Sequence, residues 1–233
     1  MLNFLDTSNW QGAYDPVITG ADAVIARATE GTVLVDPFCD GTVQQAINAG
    51  MPWGFYHFAG DGDAVSEAAW FINNCSNYFG MGIPVLDWEG NQNVEWVNRF
   101  VETVHEQTGV WPWIYANPWR FNQGGVNPNC ARWIAAYPDV VSPTWSQAQG
   151  WDPRLADGNV VAWQFCSDGA ASGINVNVDM SLFYGTKEQW LAYGRGDSVP
   201  NPGIRDNSDG GADCDDGNAT LENDTYKVTI ERK

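Results

Sequence analysis

The chain has 233 residues, 44% of them hydrophobic, with 29 acidic against 11 basic side chains and a formal net charge of −18. That length suits one large domain, or one domain with a tail. The acidic balance argues against nucleic acid or an anionic membrane as partner, and no apolar run reaches the roughly 18 residues a membrane helix needs.

The first stretch, "MLNFLDTSNW", has no basic n-region and no long apolar h-region, so it reads as a first strand and not as a signal peptide. Short apolar or aromatic runs then recur, each ending in polar residues: "AVIARATEG", "PWGFYHFAG", "IPVLDWEG", "PWIYANP", "ARWIAAYPD", "VVAWQFCSDG" and "VNVDMSLFYG". With "LNFLDTS" they make eight strand candidates. Several are apolar at successive positions, as in strands buried on both faces.

Helical patterns separate the early strands. "DGTVQQAINAGM" sets Val43, Ala46, Ile47 and Gly50 at helical spacing. In "GDAVSEAAWFINNCSNYF", Asp63 is placed as N-cap, with Val65, Ala68, Ala69 and Ile72 along the core face. "NVEWVNRFVETVHEQTG" carries Val94, Val97, Val101 and Val104 and stops at Gly109. The connection after the sixth strand is rich in Pro and Gly and reads as irregular. Thr186 and Gln189 in "GTKEQWLAYGRG" form a capping-box pattern.

Alternating strands and helices imply a parallel sheet with crossover helices, and eight strands imply an α/β barrel, irregular because the second half lacks helices. Barrel active sites lie at the C-terminal ends of the strands. There this sequence places Asp6, Glu30, His57, Asp87, Glu89, Tyr115, Tyr137, Gln164 and Asp179. From residue 196 the chain turns Gly-, Asp- and Asn-rich and is expected to lie outside the barrel as an acidic extension. Tyr226, Val228 and Ile230 alternate there as in a short strand. Its "DNSDGGADCDDG" does not match the spacing of an EF-hand loop.

Metal, redox and nucleotide chemistry find no support. The five cysteines, Cys39, Cys75, Cys130, Cys166 and Cys214, form no C-x-x-C pair; free, buried thiols are expected, with one disulfide as the alternative because sequence does not reveal proximity. The two histidines fall in no H-E-x-x-H, and no Walker loop or G-x-G-x-x-G is present. No metal or cofactor is expected. His105 is expected on a helix surface.

The carboxylates carry the chemistry. Strand side chains alternate, so Asp87 and Glu89 project to one side, their Cα atoms about 6.5 Å apart, while Trp88 turns into packing. Two like charges so close raise each other's pKa, and one member of such a pair can stay protonated near neutral pH. Glycoside hydrolysis requires that acid, with negative charge beside the developing oxocarbenium ion. Asp6 ends the first strand and Asp179 lies in the eighth, its neighbour in a closed barrel. Trp10, Tyr56, Tyr115, Tyr137 and Trp163 are candidates for aromatic walls, and the thirteen tryptophans themselves suit sugar stacking. His57 and Gln164 join the candidates for substrate binding.

"DTSNWQG", "ARATEG", "AGMPWGFYHF", "PVLDWEG", "WIYAN", "RWIAAY", "AWQF" and "VDMSLFYG" occur in this order between residues 6 and 185. In these pieces the chain resembles the family 25 glycoside hydrolases, the muramidases of phages, bacteria and fungi. The resemblance implies an irregular, flattened (β/α)5(β)3 TIM-like barrel over 1–195, with 196–233 as linker or tail. It implies hydrolysis of the MurNAc-β-1,4-GlcNAc bond of bacterial peptidoglycan. Carried over by position, Glu89 is the general acid, Asp87 assists it by orienting the 2-acetamido group, and Asp6 and Asp179 complete the acidic cleft. Tyr56, Tyr115, Tyr137 and Trp163 match substrate-lining positions. Arg27 stands where the family often has lysine, and is expected to keep a structural charge contact. A monomer acting on the cell wall is expected, released as a phage endolysin through a holin or exported by a non-classical route. Two competing readings are a glycan-binding barrel without catalysis and a peptidoglycan amidase or endopeptidase.

Overall fold

The computed structural model describes residues 1–151 and 159–199, and the backbone of 220–223 and 226–229. All eight expected strands form: β1 (Leu2–Thr7), β2 (Ala23–Glu30), β4 (Trp53–Phe58), β5 (Ile83–Asp87), β6 (Trp113–Ala116), β7 (Arg132–Ala135), β8 (Val160–Gly169) and β9 (Val178–Phe183). A two-residue strand, β3 (Leu34–Val35), folds back on β2. The order β1-β9-β8-β7-β6-β5-β4-β2 closes through a parallel β1–β2 pairing into a barrel.

Seven barrel strands run parallel, but β9 is antiparallel to both β8 and β1. The helix-poor second half explains this: no crossover helix lies between β8 and β9, and without one the chain returns antiparallel. Asp179 therefore sits near the N-terminal end of its strand, not the C-terminal end expected from the sequence. The reversal still delivers it to the same mouth, opposite Asp6 in register.

Helices α1 (Cys39–Asn48), α2 (Ala64–Cys75) and α3 (Val94–Thr108) wrap the outside. After β6 and β7 only α4 (Pro118–Asn122) and α5 (Trp145–Ala148) form. Local signals set the ends. Asp63 caps α2 by accepting from the Ser66 N–H, Gly109 ends α3 at φ 75°, and the Thr186–Gln189 box opens α6 (Lys187–Arg195). One helical face differs from the expected one. α2 buries Ala64, Glu67, Ala68, Phe71 and Cys75, so its core stripe is rotated from the expected Val65–Ile72 line and includes a glutamate.

Two apolar layers result. The barrel interior holds Phe4, Ile25, Val85, Trp113, Trp133 and Phe183, and Trp190 of α6 plugs its lower end, its indole N–H donating to the Trp53 carbonyl (3.0 Å). The second layer packs the outward strand residues against α1–α3. Trp53, Trp88, Trp113, Trp133, Trp163 and Trp190 are buried in these layers, so much of the tryptophan content serves packing, whereas Trp10 and Trp119 are exposed. His105 is half-buried, stacked on Trp111 (3.9 Å between centroids). Cys39, Cys75, Cys130 and Cys166 are free and buried as expected, with Cys214 and the "DNSDGGADCDDG" run outside the described residues. The backbones of β10 (Thr220–Asn223) and β11 (Tyr226–Thr229) pair antiparallel. No helix among the described residues is long and apolar enough to cross a membrane.

Candidate active site

Alternation sorts the expected site residues into two groups. Phe4, Val85, Trp113 and Ala162 face the barrel interior, so Asp6, Asp87, Tyr115 and Gln164, two residues further along their strands, face its mouth. Tyr56 packs against the same interior layer. Neighbouring side chains must face outward. Two candidates are corrected on this ground.

His57 is wholly buried on the outer face, stacked on Phe100 of α3. Its Nε2–H donates to Glu67 Oε2 (3.0 Å), since a carboxylate has no proton to give, and Nδ1 accepts from the Thr29 hydroxyl (2.8 Å). Trp163 is also wholly buried in the outer layer, its indole N–H donating to the Ala136 carbonyl (2.7 Å). Neither side chain reaches the cleft.

At the mouth stand four carboxyls. Burial, then the charges of Glu89, Asp6 and Asp179, raises the Asp87 carboxyl well above its ordinary value. Its Oδ1 is shut off from solvent with no hydrogen-bond partner. Burial and Asp179 likewise raise Asp6, opposed by the amide of Gln164. Asp179 is pushed up to about 6 by burial and by Glu89. Glu89 lies just past the end of β5, exposed.

Gln164 is 2% exposed and fully engaged. Its Oε1 accepts from the hydroxyls of Tyr115 (2.7 Å) and Tyr137, and its Nε2 donates to Asp6 Oδ1 (3.1 Å) and Oδ2 (3.0 Å). Both acceptor positions of its oxygen are filled, and its nitrogen is turned to Asp6 rather than to a ligand. Tyr137, two residues beyond β7, is 44% exposed, and Trp10, in the loop after β1, is 81% exposed. Burial pushes the Tyr56 phenol up, with Asp87 and Asp6 adding to it. Arg27 makes the structural contact expected of it, pairing with Asp36 (3.1 Å) and Glu30 (2.9 Å).

The sequence reading missed two supports. Arg120 of α4 donates to the backbone carbonyls of Glu89 (2.8 Å) and Gly90 and lies 4.9 Å over the Trp88 ring. It is set by the Asn117 cap and Pro118 at the helix start, a legible signal, but the contact is long-range. Glu67 accepts from the Gly60 (2.8 Å) and Gly62 (2.7 Å) N–H groups and so ties the loop after β4 to α2. A Cβ at Gly62 would lie 2.7 Å from Glu67 Oε1, which explains the glycine. The Gln92 amide bonds the Gly60 carbonyl, and the Gln92 carbonyl accepts from the Trp88 indole (2.8 Å), linking this loop to the one bearing Glu89. No cluster of potential metal ligands occurs among the described residues.

Known proteins share sequence and fold with this chain. The N,O-diacetylmuramidase of Chalaropsis sp is 29% identical over 165 residues, covering 62% of this chain and 76% of its own. Lysozyme M1 of Streptomyces globisporus is 27% identical over 219 residues, covering 81% and 69%. The catalytic domain of endolysin ply40 from bacteriophage P40 of Listeria monocytogenes superposes with a TM-score of 0.66 at 25% identity, covering 84% of this chain and 98% of that one. A bacterial lysozyme from Streptomyces coelicolor shares the fold, with a TM-score of 0.68 at 23% identity over 84% of this chain and 98% of that one. Residues 5–174 match the profile described as "Glycosyl hydrolases family 25", and the chain belongs to that family of glycoside hydrolases.

Proposed function

We propose that this protein is a lysozyme, a 1,4-β-N-acetylmuramidase that cleaves the MurNAc-β-1,4-GlcNAc bond of bacterial peptidoglycan. The catalytic unit is the barrel over 1–195, which ends where α6 stops at Gly196, with 196–233 as its acidic extension. The observation that carries the reading is the meeting of Asp6, Asp87, Glu89 and Asp179 at one barrel mouth in a family 25 chain.

Glu89 is the general acid, exposed where a glycosidic oxygen can reach it. Asp87 offers an unpartnered, desolvated oxygen. A buried acceptor left unpaired costs about 1–3 kcal/mol, and a substrate acetamido N–H would satisfy it. Held that way, the acetamido oxygen lies ready to attack the anomeric carbon as Glu89 protonates the leaving oxygen, so configuration is retained. Asp6 and Asp179 supply negative charge beside the oxocarbenium-like transition state. Tyr56 and Tyr115 line the inner wall, while Tyr137 and Trp10 provide exposed aromatic surface at the rim.

Digestion of purified peptidoglycan by wild type and Glu89→Gln tests this. New reducing ends from wild type alone support a muramidase. New free amines would indicate an amidase or peptidase instead, and binding without release would indicate a glycan-binding barrel. Early product anomers, read by NMR, test the course: initial inversion excludes the acetamido nucleophile.

A further inference from the structure

Gln164 is buried, yet its amide is not free to choose its orientation. Two phenol O–H groups, from Tyr115 on β6 and Tyr137 beyond β7, converge on Oε1, and the NH2 faces Asp6 within hydrogen-bond reach of both of its oxygens. An amide flipped by 180° would set an acceptor oxygen against the ionised Asp6 carboxylate and give up both contacts to it, while the two phenols could accept from the NH2 instead. The network joins three barrel strands and the rim.

We propose that Gln164 is a positioning residue: held by Tyr115 and Tyr137, its amide donates to Asp6 and favours the ionised form of that carboxyl against the burial and neighbouring charge that oppose it. An N–H donated to a carboxylate favours its charged form, so the Gln164 amide opposes the proton that burial and Asp179 press on Asp6. The inference rests on the glycosidase reading of this same mouth and adds how its charge is distributed. It also reassigns Gln164 from a substrate contact to a group acting through Asp6.

The groups around Asp6 are those a proton must choose among. Asp179 faces it from β9, and Asp87 and Glu89 face it from β5 and the turn beyond. Tyr56 on β4 and Tyr14 in the loop after β1 feel its charge, as do Tyr115 and Tyr137. Arg27 on β2 is the cation whose charge reaches Asp87 and Tyr56.

Gln164→Leu removes both ends of the lock. The acidic limb of the kcat/KM profile on peptidoglycan should move up by about one to two pH units, the worth of charge-assisted hydrogen bonds to one carboxylate, with KM little changed. Tyr115→Phe/Tyr137→Phe keeps the Gln164 amide beside Asp6 but removes the two hydroxyls that hold it in place, and should move the limb part of the way, while either single Tyr→Phe variant leaves one anchor and moves it less. A profile unmoved in Gln164→Leu, with kcat merely lowered at every pH, would make the residue structural only. A rise confined to KM would make it a substrate contact. Both overturn the proposal. The 13C titration of the Asp6 carboxyl in the whole protein, wild type against Gln164→Leu, reads the same shift without substrate. It keeps this inference testable should wild type release no reducing ends, an outcome that would sink the muramidase reading alone.

Discussion

Glu67→Gln should be among the most damaging changes outside the cleft. The Glu67 side chain is fully buried and accepts three hydrogen bonds: His57 Nε2–H (3.0 Å) and Gly60 N–H (2.8 Å) on Oε2, and Gly62 N–H (2.7 Å) on Oε1. Glutamine has one acceptor oxygen. Placed on the Oε2 side, it keeps two bonds, now without charge, and turns its NH2 against the Gly62 donor. The other placement loses two. Leaving a buried donor unpaired and removing charge from the remaining bonds costs about 3–5 kcal/mol. For a chain of this size each kcal/mol moves Tm by about 2–4 °C, so the loss is roughly 6–20 °C.

The pH dependence of that loss has a definite sign. Burial alone would raise the Glu67 carboxyl, but His57 and the two glycine N–H groups overcome it and hold it below the ordinary glutamate value. A depressed folded-state pKa gives stability that is present above the unfolded value, about 4.3, and is lost as pH falls through the folded one. Burial also lowers His57, so its buried neutral ring contributes above about 6.5 and loses that contribution on acidification in the same direction. Urea melts of wild type and variant at pH 7 and at progressively lower pH measure the difference. It should be present in full above about pH 4.3 and shrink only as pH falls below that. A loss under about 1 kcal/mol at pH 7 would refute the argument that this carboxylate holds the loop.

Other expectations follow from the same geometry. Glu89→Gln should lower kcat by about 10²–10⁴, the usual worth of a general acid, while leaving the melting temperature nearly unchanged because the side chain is exposed. Asp179, raised to about 6, is more protonated folded than unfolded, so stability falls as pH rises from about 4 through 6. Asp179→Asn should therefore melt above wild type at pH 7, the gain vanishing below about pH 4; an unchanged Tm at pH 7 contradicts the shift. Trp163→Ala should cost about 3–5 kcal/mol in a denaturant melt, whereas Trp10→Ala should stay within about 0.5 kcal/mol and act, where it acts, on KM. Arg120→Leu should lower kcat by up to about 10²-fold through misplacement of Glu89, and Arg120→Lys should not restore it, since one ammonium does not reproduce the planar guanidinium's bonds and stacking.

The sequence by itself determined what is local or periodic. Eight apolar runs with polar ends located eight strands, and the caps at Asp63, Gly109 and Thr186 were readable because a cap bonds within a few residues of its own helix. It located Asp87 and Glu89 as a spaced pair and named Asp6 and Asp179 as their companions. Tertiary structure decided the rest. Alternation says that Tyr56 and His57, or Trp163 and Gln164, face opposite ways, but runs apolar on both faces do not say which way is in. Closure of the barrel chose Tyr56 and Gln164 for the mouth and sent His57 and Trp163 outward. A glutamate in an apolar stripe reads as surface until Gly60, Gly62 and His57 are brought to it from elsewhere in the chain. The direction of β9 was likewise fixed by its pairing with both β8 and β1, and that pairing put Asp179 beside Asp6.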